Sequence, residues 1–201
     1  MNLSAVILAG GKNSRMEGLD KAFLLIEGEP LIERLVKVLK QVFDEVVIVT
    51  NSPEKYNKNS LPSGVIITTD IIKDVGPIGG IYTGLKTIKN DAAFFVACDM
   101  PFLDTELIRR ETEIFNNKNV DCLVARCVDK IHPLHSIYAK SALEIIPKVI
   151  ESGNFAIMNL VDRCKNVSFV DFDSTHERNF TNINFAMEAR KALTQFLPVV
   201  S

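Results

Sequence analysis

Three short stretches of this chain carry residue types suited to holding phosphate groups. The first is Leu8-Ala9-Gly10-Gly11-Lys12-Asn13-Ser14-Arg15-Met16, followed by Lys21. Glycines directly after an apolar run let the backbone approach a ligand closely and present N–H groups to phosphate. Arg15 and Lys21 add fixed positive charge where a triphosphate would lie. The loop has neither Walker A spacing nor the dinucleotide GxGxxG, so a strand-to-helix turn with solvated charges is the plain alternative. The second stretch is Cys98-Asp99-Met100-Pro101. A carboxylate at the end of an apolar strand, with a proline close behind, suits Mg²⁺ held between protein and phosphates. Its alternative is a helix cap, but Asp104 stands better for that task. The third stretch is Gly76-Pro77-Ile78-Gly79-Gly80, with Asp70 upstream at the end of its own strand. Gly76 and Gly80 would let this turn bring backbone against a base or ribose, or they would simply open a helix.

The elements that must position these loops follow from hydrophobic periodicity. Apolar runs at 3–8, 45–50, 65–69 and 92–97 read as buried strands. Residues 31–43 carry a helical stripe at Leu31, Ile32, Leu35, Val38, Leu39 and Val42, with Pro30 at its start. Residues 79–88 read as a second helix. A third is capped by Asp104 and runs to about residue 116. The later half reads as strands at 121–127, 133–138 and 167–172 and helices at 141–151, 154–161 and 184–196. Alternating strands and helices predict an α/β fold, a mostly parallel sheet with helices on both faces. No linker divides residues 1–201, which therefore read as a single domain. In such sheets ligands bind beyond the carboxyl ends of the strands, where Gly10, Asp70 and Asp99 all stand.

Composition narrows the function classes. At 201 residues, 47% hydrophobic and 24% charged, the chain is ordinary for a folded domain. A formal net charge of −2 gives no general attraction to nucleic acid or anionic membrane. No apolar stretch reaches membrane-spanning length, and the apolar start lacks a basic flank and ends in glycines, so it reads as a strand rather than a signal peptide. Cys98, Cys122, Cys127 and Cys164 match no zinc or redox pattern, and Cys122 and Cys127 should point to opposite faces of their strand. Reduced thiols point to a cytoplasmic protein. His132 and His135, three apart on a strand, should also face opposite ways and so read as packing or hydrogen-bonding residues rather than a metal pair.

Taken in order, LAGGKNSRM with Lys21, Asp70, GPIGGI, CDMP, HPLHSIY and FTNIN resemble the molybdenum cofactor guanylyltransferases, over nearly the whole chain. The first motif alone would indicate only the wider nucleotidyltransferase superfamily. The resemblance implies a Rossmann-like single domain that uses MgGTP, attaches GMP to the phosphate of molybdopterin and releases pyrophosphate. It implies that Leu8, Ala9, Gly10 and Gly11 contact the nucleotide, that Lys21 holds its phosphates, that Asp70 fixes the guanosine and that Asp99 binds Mg²⁺. The region from His132 to Tyr138, with Asn182 and Asn184, would face the pterin acceptor or complete the metal site. Other proteins of cofactor biosynthesis or molybdoenzyme maturation would be natural partners. The chain departs from the family pattern at Glu17, where glycine is usual. A cytidylyltransferase using CTP, or a non-catalytic nucleotide-binding protein of the same fold, are the rival expectations.

Overall fold

The computed structural model describes residues 2–10, 15–16, 19–56 and 60–183. Gly11, the Arg15 side chain, Glu17, Asn184 and the helix expected at 184–196 lie outside the described residues. The first strand, β1 (Ser4–Leu8), is buried along its whole length. It pairs in parallel with β2 (Val46–Val49) and with β4 (Ala92–Ala97). Beyond β2 lies β3 (Val65–Thr68), also parallel. On the other side of β4 stands β6 (Lys130–Ala139), antiparallel to β4 and to β5 (Cys122–Cys127). The parallel edge strand β7 (Val167–Phe172) completes the order β7-β5-β6-β4-β1-β2-β3. The sheet is therefore mostly parallel, with one strand reversed.

A strand covered on both faces reads as a continuous apolar run, because alternate side chains enter different cores. In β1, Ala5 and Ile7 enter one core while Val6 and Leu8 enter the other. The first core takes α1 (Leu31–Leu39) through Leu31, Leu35 and Leu39, and α3 (Thr105–Asn116) through Leu107, Ile108 and Phe115. The second takes α2 (Pro77–Thr87), α4 (Ile146–Glu151) and α5 (Ile157–Arg163). Cys122 and Cys127 enter different cores, as their spacing requires, and all four cysteines are buried thiols outside any disulfide.

Several boundaries follow from side-chain chemistry. Asp104 Oδ1 accepts from the N–H groups of Glu106 (2.8 Å) and Leu107 (3.3 Å), which caps α3. The expected helix at 141–151 is broken: a 3-10 turn, Lys140–Glu144, precedes α4. Pro147 has no N–H to donate backward and its ring crowds the preceding turn, so an α-helix can only begin there. The helix expected at 154–161 starts later, at Ile157. Asn154 Oδ1 instead accepts from Ala156 N–H at 3.2 Å, which favours a local turn. A 3-10 segment, Ser174–Phe180, follows β7 and was not signalled by periodicity. No described helix is long and apolar enough to cross a membrane.

Candidate nucleotide-binding site

Short main-chain bonds carry the sheet just past its strand ends. Ala9 N–H donates to Val49 O at 2.8 Å, Cys98 N–H to Leu8 O at 3.0 Å, and Thr50 N–H to Thr68 O at 2.9 Å. The chain therefore next emerges along one edge at Gly10, Asn51 and Asp99, with Asp70 two residues past Thr68. Leu8 and Ala9 are buried, and the Leu8 carbonyl and Ala9 N–H are engaged in the sheet. Gly10 is the first exposed backbone on β1.

Gly10 lies against a polar pair. Asn51 Nδ2 donates to Asp70 Oδ2 at 3.0 Å, and a Cβ on Gly10 would stand 3.1 Å from each of those two atoms. A larger residue would crowd the pair and have to shift it by a few tenths of an ångström, so glycine suits this close approach. Asp70 Oδ1 is buried with no hydrogen-bond partner among the described residues. Burial pushes the Asp70 carboxyl above its ordinary range, while the Asn51 bond and the nearby Lys73 charge oppose the shift. A half-buried carboxylate with an unused acceptor oxygen is suited to donors on a ligand.

The turn from Gly76 to Gly80 divides into two parts. Gly76 and Pro77 are exposed at the start of α2, and Gly76 has φ +63°, a conformation that favours glycine. Gly79 and Gly80 are buried. A Cβ on Gly79 would meet Ile72 O at 2.4 Å, and one on Gly80 would meet Leu8 Cδ2 at 2.8 Å. Gly80, expected at the nucleotide, instead lets α2 pack closely behind β1 and the Asp70 loop. Thr83 fixes the same loop, since Ile71 N–H donates to its Oγ1 at 2.9 Å.

On the other side of β1, Lys21 Nζ lies 3.4 Å from Asp99 Oδ2, and both side chains are mostly buried. Asp99 Oδ1 is buried with no hydrogen-bond partner among the described residues. The sequence did not imply this ion pair, which the fold makes by bringing Lys21 to the end of β4. Among the described residues no three His, Cys, Asp or Glu side chains gather to hold an ion.

The expected acceptor residues separate. Asn182 is exposed, and the next residue, Ile183, donates its N–H to Asp99 O at 2.7 Å. His132 is half-buried, and burial first, then His135 and Lys130, lower its pKa to about 4. Tyr138 is fully buried: its ring stands edge-on to Phe95 at 5.6 Å and its hydroxyl donates to Pro133 O at 2.8 Å. It supports the strand from within and cannot face an acceptor.

The two histidines correct the parity argument as well. The register of β6 against β5 jumps between His132 and Ser136, and a bulge resets which way side chains point. Both rings contact Phe180, at 4.8 and 4.6 Å between centroids. His135 is buried, with Nε2 3.1 Å from Oε1 of Glu111, itself buried on α3. Burial raises the Glu111 carboxyl, against the pull of His135.

Sequence reading missed Asn51, Glu111 and the packing role of Gly79. Asn51 had a usable signal, since it follows the apolar run of β2 just as Asp99 follows β4. Glu111 had none: a glutamate in a helix is ordinarily solvated.

Comparison with known proteins gives the family. The family model described as MobA-like NTP transferase domain matches residues 5–167. A probable molybdenum cofactor guanylyltransferase of Clostridium perfringens SM101 is 36% identical over 92% of this chain and 93% of its own length. The molybdenum cofactor guanylyltransferase of Syntrophotalea carbinolica is 34% identical over 79% of this chain and 73% of its own. The crystal structure of molybdopterin-guanine dinucleotide biosynthesis protein A from Archaeoglobus fulgidus superposes with a TM-score of 0.76 at 24% identity, over 97% of this chain and 100% of that one. The last is a likeness of fold, Rossmann-like with a mostly parallel sheet. With the match across most of its length, this chain belongs to the family of MobA-like NTP transferase domains.

Proposed function

We propose that this protein transfers GMP from GTP to the phosphate of molybdopterin, releasing pyrophosphate and forming the guanine dinucleotide cofactor. The observation that carries the reading is the row of Gly10, Asn51–Asp70 and Lys21–Asp99 along one sheet edge. The names of the relatives supply the substrates. In this reading the Gly10 backbone, with Gly11 and Gly76, faces the nucleotide, and Asn51 with Asp70 takes the nucleoside. Lys21 and Arg15 face the phosphates.

An acceptor phosphate oxygen attacks the α-phosphorus of GTP, and the bond to the bridging oxygen of the β-phosphate breaks. The acceptor phosphate is largely ionised at neutral pH, so no general base is needed. The residues' work is then positioning and charge neutralisation. Lys21 suits that work, because an ammonium has three donors and only one is directed at Asp99. Mg²⁺ fits Asp99, whose buried Oδ1 lacks a hydrogen-bond partner among the described residues, since this ion takes one or two carboxylates together with substrate phosphates. When bound, it supplies charge neutralisation at phosphate oxygens. In this reading Asn182 and His132, together with Asn184, face the acceptor, an assignment that rests on the resemblance of the HPLHSIY and FTNIN stretches.

The test is pyrophosphate release from purified protein with Mg²⁺, molybdopterin and either GTP or CTP. Base edges are told apart by hydrogen bonds, and the wrong base leaves buried groups such as Asp70 Oδ1 unpaired. GTP should bind at least roughly tenfold more tightly than CTP, about 1.4 kcal/mol. A preference for CTP in calorimetry would move the protein to the cytidylyltransferases. Tight GTP binding with no pyrophosphate release would make it a binding protein.

A further inference from the structure

Residues 178–183 hold the loop that carries Asp99 at three points. Ile183 N–H donates to Asp99 O at 2.7 Å, Asn179 Nδ2 donates to Phe102 O at 2.9 Å, and the Arg178 guanidinium lies 4.3 Å from the Phe102 ring centroid. Pro101 lies between the two held carbonyls and has no N–H of its own to donate. The loop is therefore braced from a segment about eighty residues away in sequence, a separation seen directly in the Asn179–Phe102 bond.

Two buried side chains anchor that segment in the core, Phe180 and Ile183, and the larger is Phe180. Phe180 is 4% exposed and packs against His132 at 4.8 Å, His135 at 4.6 Å and Phe172 at 5.2 Å between centroids. The His135 ring is in turn edge-on to Phe94 at 4.9 Å and faces Glu111 across 3.1 Å. The floor under Phe180 is thus built from β4, β6, β7 and α3. Its neighbours Thr181 and Asn182 are exposed. Without the Phe180 ring, Ile183 is the one remaining buried apolar side chain between 178 and 183, and such a loss of apolar contact favours local opening.

We propose that Phe180 is a positioning residue for Asp99: seated between His132 and His135, it sets the register of 178–183 so that Ile183 and Asn179 hold the Asp99–Phe102 loop at the sheet edge. The inference rests on the proposed transfer reaction for its catalytic consequence, but not for its structural one. It also joins the two halves of the site, because the amide that holds Asp99 belongs to the residue after exposed Asn182.

Two variants of the full-length protein test it. Phe180→Leu keeps an apolar side chain in place but removes the ring contacts, and Asn179→Ala removes one brace from a half-buried position. Amide exchange at Ile183 should accelerate by about tenfold in both, while the melting temperature shows the global fold intact. In steady-state transfer, kcat should fall by about tenfold as the loop loses its position, with KM for GTP moving less than about twofold. Unchanged exchange at Ile183 in both variants would overturn the proposal, as would faster exchange with kcat intact. If the wild-type protein releases no pyrophosphate, the reaction reading fails by itself, and the exchange measurement still decides whether Phe180 holds the loop.

Discussion

At the scale of single residues, the Lys21–Asp99 pair sets the expectations for mutation. Asp99→Asn keeps the shape but removes the charge that a hard cation needs, and activity should fall by roughly two to three orders of magnitude. Lys21→Ala should cost about two orders of magnitude, as for other donors aimed at developing charge. The two atoms stand 3.4 Å apart, so their effects are coupled. The double variant should lose less than the product of the single losses. Pyrophosphate release and melting temperature measured on the three proteins check this. Strictly multiplicative losses would mean that the two side chains act independently. An unfolded Asp99→Asn protein would make the residue structural.

At the scale of elements, α2 is the part whose packing decides the shape of the site. Alanine ordinarily favours a helix over glycine by about 1 kcal/mol. At Gly79 that gain is opposed, because a Cβ would lie 2.4 Å from the carbonyl oxygen of Ile72, and backbone cannot turn aside. Gly79→Ala should therefore destabilise by roughly 1–3 kcal/mol, as overpacked sites do. For a chain of this size that corresponds to about 2–4 °C in Tm per kcal/mol. Gly84→Ala should destabilise as well, since its Cβ would lie 2.8 Å from atoms of Phe95 and Val6, both fully buried with little room to move. Pushing Ile72 also displaces the loop that starts at Asp70, so Gly79→Ala should weaken GTP binding while Gly84→Ala leaves it nearer to wild type. A wild-type Tm for Gly79→Ala in thermal unfolding would show that the Ile72 loop yields freely.

At the scale of the whole molecule, buried ionisable groups shape stability against pH. His132 titrates at about 4 in the folded protein, well below its ordinary value of 6.5. Between those values the unfolded chain binds more protons than the folded one, so stability rises with pH across this window and is lost as pH falls through it. Asp70 and Glu111 act in the opposite sense. Their carboxyls are raised by burial, so the folded state holds protons that the unfolded chain has released, and stability falls as pH rises through their window. His132→Gln should flatten the decline between about pH 6.5 and 4 in urea unfolding followed at several pH values. An unchanged slope would mean that His132 is as solvated in the fold as in the open chain.

By itself the sequence determined the α/β class, the strands at Ala92–Ala97 and Val167–Phe172, the Asp104 cap, and the three chemistry-bearing loops. These are legible because they depend on local quantities: apolar period, a side chain that bonds to amides two and three residues on, and glycine after a buried run. The row of the site was only half legible. Gly10, Asp70 and Asp99 could be assigned to strand ends, but which ends are neighbours is decided by the order β4-β1-β2-β3. That order brings Asn51 to Asp70 and both to Gly10. Tyr138, read as facing the acceptor, is buried because the reversed strand β6 is covered on both faces. His132 and His135 meet one ring because a bulge cancels the two-residue alternation on which their separation was predicted. Glu111 and Ile183 gain their roles only from what lies across from them, His135 and the Asp99 carbonyl. Hydrogen bonding along a short stretch is a property of the stretch, whereas desolvation, close approach and pairing are properties of distance in space, and those only the tertiary structure decided.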